Sequence, residues 1–423
     1  MILTKRFVAS LFVAFSTLCA CALTNDVYVW QRSWNEPLRQ ALHEHRTNFN
    51  RIVVLSAEIT WKDRKPELIK VPVDFSTLAA IRTPVGLALQ VGPYSGPFDR
   101  TNEIAHFLLG TAKSLMAEAK ANGVDPVELQ LDFDCAESKL EGYRIWVEAI
   151  KSTISPTPLT ITTLPAWLHQ PAFAGLIRKT DGFVLQVHSL ERPRDIDSPF
   201  ALCDPVAARN AAIKAASFGI PFRIALPTYG YTIAFDAKGR FVGLSAEGPA
   251  KSWPNGVQLR DVRSNPQELA ALVQTWNTNP PVSLSNHPFQ GIIWYRFPVA
   301  NDILNLHWKT LETMMRGRSP HESLEVKPRR VEPGLVEISL ENNGELDISS
   351  RFAIEVRWSR VGGTRLVAGD GLRDFELVDA QPSTVRFRTK SQSYRLPAGE
   401  KQVIGWLRLS QDREVQVEIR KEP

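Results

Sequence analysis

The chain has 423 residues, 43% of them hydrophobic, enough to bury substantial cores in two or three domains. Its 50 Lys and Arg are interleaved with 45 Asp and Glu, for a net charge of +5. There is no long basic run and no basic–aromatic alternation, which argues against a nucleic-acid partner.

Lys5 and Arg6 precede an apolar stretch, Phe7 to Leu18, that is too short to span a bilayer and is followed by small residues. This is the pattern of a secretory signal over residues 1–22, and it predicts an exported protein, periplasmic or secreted. Ala20-Cys21-Ala22 fits cleavage after Ala22. Leu18-Cys19-Ala20-Cys21 also fits lipoprotein processing, in which an acyl chain on Cys21 would be the membrane anchor. No other stretch is long and apolar enough for a transmembrane helix. Cys135 and Cys203 could pair in an oxidising compartment or remain as two thiols. No spacing resembles a zinc or iron–sulfur site, and no metal or cofactor is expected.

From Asp26 to about Arg318, strand-like runs alternate with helical ones. The predicted strands are VYVWQ (27–31), RIVVLSAEI (51–59), VGLALQV (85–91), VELQLDFD (127–134), LTITTLP (159–165), GFVLQVHSL (182–190), RIALPTYGY (223–231) and GIIWYRF (291–297). Amphipathic stretches follow most of them. In DPVAARNAAIKAASFG, Asp204 can cap the start, Pro205 suits the first turn and Gly219 suits the stop. This rhythm predicts an α/β fold, a (β/α)8 TIM-type barrel over 26–318. An open doubly wound sheet is the alternative, but no Gly-rich phosphate loop follows any strand.

FDAKGRFVGL, within the long segment 232–263, predicts an inserted β-hairpin. Beyond Pro320, LVEISL, RFAIEVRW and REVQVEIR alternate apolar and polar residues, predicting a small antiparallel β-sandwich, Ig-like, over 321–423.

In the fourth strand Val127, Leu129, Leu131 and Phe133 form an apolar parity, which leaves Gln130, Asp132 and Asp134 facing the barrel axis. The same reading places Val54, Ser56 and Glu58 inside on the second strand, and Gly86, Ala88 and Gln90 on the third. It places Val184, Gln186 and His188 inside on the sixth, Ala225, Pro227 and Tyr229 on the seventh, and Ile292, Trp294 and Arg296 on the eighth. Polar residues then gather at the C-terminal strand ends, where barrel enzymes build their sites.

Asp132 and Asp134 can lean together, so that one keeps a proton as a general acid while the other stays ionised. That division suits an oxocarbenium-like transition state. Glu58, Gln90, Gln186, His188, Tyr229, Trp294 and Arg296 would bind substrate, with Trp30 and Trp61 flanking the mouth. An ion network between the aspartates and Arg296 is the structural alternative. The spacing of these groups is not diagnostic of a metal site.

The fourth-strand run resembles the D-G-x-D-x-D-x-E signature of family 18 (chitinase-like) glycosidase barrels. DGFVLQVHSL is similar to that family's sixth strand, which carries a Met-x-Tyr-Asp element. ALPTYGY resembles its seventh-strand proline-aromatic-Tyr-Gly, and Trp294 resembles its eighth-strand tryptophan. The chain resembles more closely a family of exported bacterial proteins known as domain of unknown function 3142, which shares the QLDFD strand.

Two registers of the signature fit. In one, the glutamate position falls on Ala136 and Glu137 is one residue late. In the other, Gln130, Asp132 and Asp134 take the Asp, Asp and Glu places without a bulge. The resemblance implies an exported glycoside-hydrolase-like barrel acting on an envelope or extracellular polysaccharide or oligosaccharide. The alternative is a non-catalytic barrel that binds glycans or envelope components.

Overall fold

The computed structural model describes residues 23–63, 65–246, 252–283, 287–349, 352–390 and 394–421. The signal-peptide and Cys21 expectations lie outside these residues.

Among the described residues, eight parallel strands close into a barrel. They are β1 (Thr24–Val29), β2 (Arg51–Lys62), β3 (Val85–Val91), β4 (Glu128–Phe133), β5 (Leu159–Thr163), β6 (Gly182–Gln186), β7 (Phe222–Pro227) and β8 (Phe289–Tyr295). Each pairs with its sequence neighbour, and β1 pairs with both β2 and β8, which closes the ring. Past Val54, β2 runs on beyond β1 and takes the short antiparallel strand Lys65–Lys70 as a neighbour.

The outward residues of the strands are apolar because helices cover them. Phe133 of β4 meets Tyr143 and Trp146 of the helix Leu140–Ile154, at ring separations of 5.0 and 5.8 Å. The helix Pro205–Ala216 begins as the sequence predicts. Asp204 accepts from the amides of Val206 and Ala207, and Gly219, at φ +70°, follows the helix end.

The sixth and seventh strands are shorter than predicted, ending at Gln186 and Pro227. After Pro227 the chain leaves the barrel. Residues Gly230–Phe235 join Phe241–Ser245 and Gln258–Arg263 in a three-stranded antiparallel sheet, which contains the expected hairpin. Gly230 is required there, since a Cβ would stand 2.6 Å from the Val262 carbonyl.

Beyond the helix Trp308–Met315 lie two four-stranded antiparallel sheets. They share a core that includes Ile338, Phe352, Ile354, Phe375, Phe387 and Leu407. Cys135 and Cys203 are both buried, unpaired thiols.

Candidate active site

Strand register decides which side chains enter the barrel, since partners across a parallel pair share a face. Gly86, Ala88 and Gln90 of β3 lie beside Glu128, Gln130 and Asp132 of β4, and Gln130 lies beside Thr160 of β5. Val184 and Gln186 face inward on β6, next to Arg223 and Ala225 of β7.

Two strands depart from the predicted parity. On β2 the register shifts between Leu55 and Ala57, so a bulge at Ser56 reverses the alternation. Val54 points outward beside Leu87, while Glu58 faces inward beside Gln90.

On β8 the expected parity is reversed throughout. Ile293 pairs with Asp26 and Ala225, and Tyr295 pairs with Pro227, so Tyr295 enters the mouth. Trp294 and Ile292 lie on the helix-facing side. The indole N–H of Trp294 donates to Asn25 Oδ1 at 2.9 Å, and the ring is fully buried. Trp294 is therefore not a sugar platform. Tyr295 occupies the inner place assigned to it.

The acidic pair sits at the end of β4. Asp132 is half-buried, and Thr162 Oγ1 donates to its Oδ1 at 2.5 Å. Burial, aided by the neighbouring Asp134 charge and opposed by the Thr162 hydroxyl, raises its pKa to about 6. Asp134 lies one step further toward solvent and is exposed, and partial burial raises its carboxyl as well.

Gln130, one step deeper, is sealed. Tyr28 Oη donates to its Oε1 at 2.7 Å, and its own amide donates to Glu128 at 3.0 Å. Gln90 and Gln186 are half-buried, and the Gln186 amide donates to the His188 carbonyl at 3.2 Å. Glu58 is held by Arg32, with Nε–Oε2 at 2.9 Å and Nη2–Oε1 at 2.6 Å.

The aromatic side of the mouth is formed by β1, β8 and the segments after β6 and β7. His188 stacks on Tyr295, 5.4 Å between centroids, and its Nδ1 lies 3.2 Å from the Tyr229 hydroxyl. Burial lowers the imidazole to about 3, so the ring is neutral. Tyr229 Oη lies 3.2 Å from Tyr231 Oη, which in turn meets Ser189 Oγ at 2.6 Å. Tyr28 and Trp30 pack edge-on to each other and against Tyr295. Tyr295 is half-buried, whereas Tyr28, Trp30, His188 and Tyr229 are buried.

Trp61 stands apart, stacked on Tyr94 with its N–H on the Gly92 carbonyl. Arg296 is buried against Asp302 and the Ala246 carbonyl, so the anticipated ion network with Asp132 and Asp134 is replaced by a contact with the loop after β8. Glu137 lies past Ala136, exposed and bonded to Gln170, outside the mouth.

Tyr28, Arg32, Thr162, Ser189, Tyr231 and Tyr295 are members of this constellation absent from the candidates read in the sequence. Tyr28 shares its parity with Asp26 and Trp30, a signal visible in the first strand. Thr162 has none in a run of threonines.

The raised Asp132 carboxyl has a consequence for stability. The folded chain binds this proton more tightly than the unfolded chain. The stabilisation is fully present below about pH 4 and is lost as pH rises through about 6. Asp132→Asn is therefore expected to exceed wild type by about 1–3 kcal/mol in urea unfolding at pH 8. It should match wild type at pH 4. A variant no more stable than wild type at pH 8 would refute the raised pKa.

The model of the family described as Domain of unknown function (DUF3142) matches residues 99–300, and that of Domain of unknown function (DUF8456) matches residues 325–410. No curated protein matches the chain. Among solved structures, a chitinase from Chromobacterium violaceum aligns with 70% of this chain and 99% of its own, at 13% identity and a TM-score of 0.47. The Bacillus cereus spore cortex-lytic enzyme SleL aligns over 70% and 74%, at 12% identity and 0.46. The chitinase ChiA74 from Bacillus thuringiensis aligns over 94% and 100%, at 10% identity and 0.44. The barrel segment 99–300 is thus similar to the family described as Domain of unknown function (DUF3142), and the segment 325–410 that follows it is similar to the one described as DUF8456.

Proposed function

We propose that the protein is an exported glycoside hydrolase acting on an envelope or extracellular polysaccharide. The carrying observation is the Asp132–Asp134 pair at the end of β4, across the barrel from the half-buried ring of Tyr295. Asp134, reachable from solvent and with a raised pKa, donates its proton to the glycosidic oxygen as the C1–O bond breaks, and the water that adds to C1 returns a proton to it. Asp132, fixed by Thr162, stabilises in its ionised form the positive charge that develops at the sugar. Tyr295 supplies an apolar face for the ring, and the Gln90 and Gln186 amides supply donors and acceptors for its hydroxyls.

A non-catalytic glycan-binding barrel is the second reading. The observation favouring it is Glu137, which lies outside the mouth while the preceding position is Ala136.

The test is a panel of soluble bacterial polysaccharides, assayed for new reducing ends and, separately, for binding. Turnover by wild type supports the hydrolase, and saccharide binding without turnover supports the second reading. Absence of both would sink the two together. In either case Tyr295→Ala is expected to weaken binding at least about tenfold, the scale of one lost stacking contact. Trp294→Phe should leave affinity unchanged.

A further inference from the structure

Two guanidinium groups from different parts of the chain converge on one backbone carbonyl beside the barrel mouth. The carbonyl belongs to Ile303, in the loop 298–307 that follows β8. Arg263, from the inserted sheet, donates to it through Nη1 at 2.5 Å. Arg395, from the C-terminal sandwich, donates to the same oxygen through Nη1, and its Nη2 reaches the Asn305 carbonyl at 3.4 Å. Two like charges at one site need an anion. Asp347 of the sandwich provides it, accepting from Arg395 Nε at 2.6 Å and from the Ala398 amide at 3.0 Å. Burial and the Arg395 charge lower the Arg263 pKa, consistent with that crowding.

The same loop is tied to the site on its other side. Asp302 holds the buried Arg296, the residue directly after Tyr295. The Leu306 amide donates to the Thr228 carbonyl at 2.8 Å, directly before Tyr229. Thr228 in turn donates its amide to the Tyr295 carbonyl at 2.7 Å and its hydroxyl to the Arg296 carbonyl at 2.5 Å. An unbroken set of hydrogen bonds and ion pairs therefore runs from Asp347 and Arg395, through loop 298–307, to the backbone that carries Tyr229 and Tyr295.

We infer that the C-terminal sandwich organises the barrel mouth, with Arg395 as the positioning residue that fixes loop 298–307 and, through it, Tyr229 and Tyr295. The role of Tyr295 in saccharide contact rests on the proposed function. The ordering of the loop by Arg395 does not. A bidentate, planar group is needed, because Ile303 and Asn305 present two carbonyls while Asp347 takes the opposite edge of the fork. Lysine cannot make both contacts.

The experiment is hydrogen–deuterium exchange on the full chain, comparing wild type with Arg395→Met, Arg395→Lys and a control, Lys401→Met. The control removes an exposed sandwich pair with Glu341, remote from the loop in its bonding. Arg395→Met is expected to speed exchange of peptides spanning 296–307 and 228–231 at least about tenfold, through lost local protection. Peptides from β3 and β4 should stay unchanged, Arg395→Lys should behave like Arg395→Met, and the control should leave the loop as in wild type.

Unchanged exchange at 296–307, or an increase spread evenly over barrel and sandwich, would overturn the inference. If Arg395→Met does not fold, Asp347→Asn serves in its place with the same expectation for the loop. On any saccharide that wild type turns over, Arg395→Met should raise KM several-fold more than it lowers kcat. Equal losses in both would overturn the link to binding, while the exchange result stands independent of turnover.

Discussion

Asp134→Asn is expected to lower kcat about 10²–10⁴-fold on a polysaccharide that wild type cleaves, the range for losing a positioned general acid. KM should change little, because the carboxamide keeps the shape of the carboxyl and the loss falls on the transition state. Asp134 is exposed at the end of β4, so the substitution should alter unfolding free energy by no more than about 0.5 kcal/mol. Leaving-group dependence separates the roles open to a carboxylate. An aryl glycoside with an acidic phenol leaves without protonation, so the deficit should shrink sharply on it. An equal deficit on both substrates would make Asp134 a nucleophile or charge stabiliser instead. Equal activity of variant and wild type would remove it from the mechanism.

The barrel was legible because its eight strands are apolar on the helix-facing parity and are punctuated by caps that the structure uses, such as Asp204. The stripe on β4 was legible for the same reason, since Leu129, Leu131 and Phe133 leave no other inward set. β8 was ambiguous because both parities mix apolar and large side chains. Ile292 and Trp294 compete with Ile293 and Tyr295, and only pairing with β1 and β7 decides between them. β2 hides its bulge at Ser56, since a bulge is set by the fit to β1 and β3 and leaves no local signature. Contacts far apart in sequence were out of reach. Thr162 with Asp132, Tyr28 with Gln130 and Arg395 with Ile303 join residues from different strands or different domains.

Arg223→Met is expected to destabilise the protein by about 3–5 kcal/mol at neutral pH, the cost of stranding buried charge. Arg223 lies at the barrel axis beneath the site. It donates to Asp26 at 2.7 Å and to both Glu128 oxygens at 2.9 and 2.7 Å. Glu128 is fully buried and also receives Arg51 at 3.0 Å, Thr160 at 2.7 Å and Gln130 at 3.0 Å. Burial pushes the Glu128 carboxyl up, but Arg223 and then Arg51 outweigh it and hold it at about 2. A depressed acid of this kind stabilises the fold above its unfolded pKa, and the gain is lost as pH falls toward 2. Without Arg223 the larger of the two opposing charges is gone, so Glu128 and Asp26 hold protons to higher pH. The deficit of the variant should therefore be largest near pH 7 and shrink by pH 4, as read from urea midpoints at the two values. Arg223→Met/Glu128→Gln should recover part of the loss, because the amide removes one stranded charge while keeping acceptors for Thr160 and Arg51. A deficit that is independent of pH, or a double variant no better than the single, would show that packing outweighs charge here. Since Glu128 also orients Gln130 and through it the Tyr28 hydroxyl, the single variant should loosen the floor on which Asp132 stands.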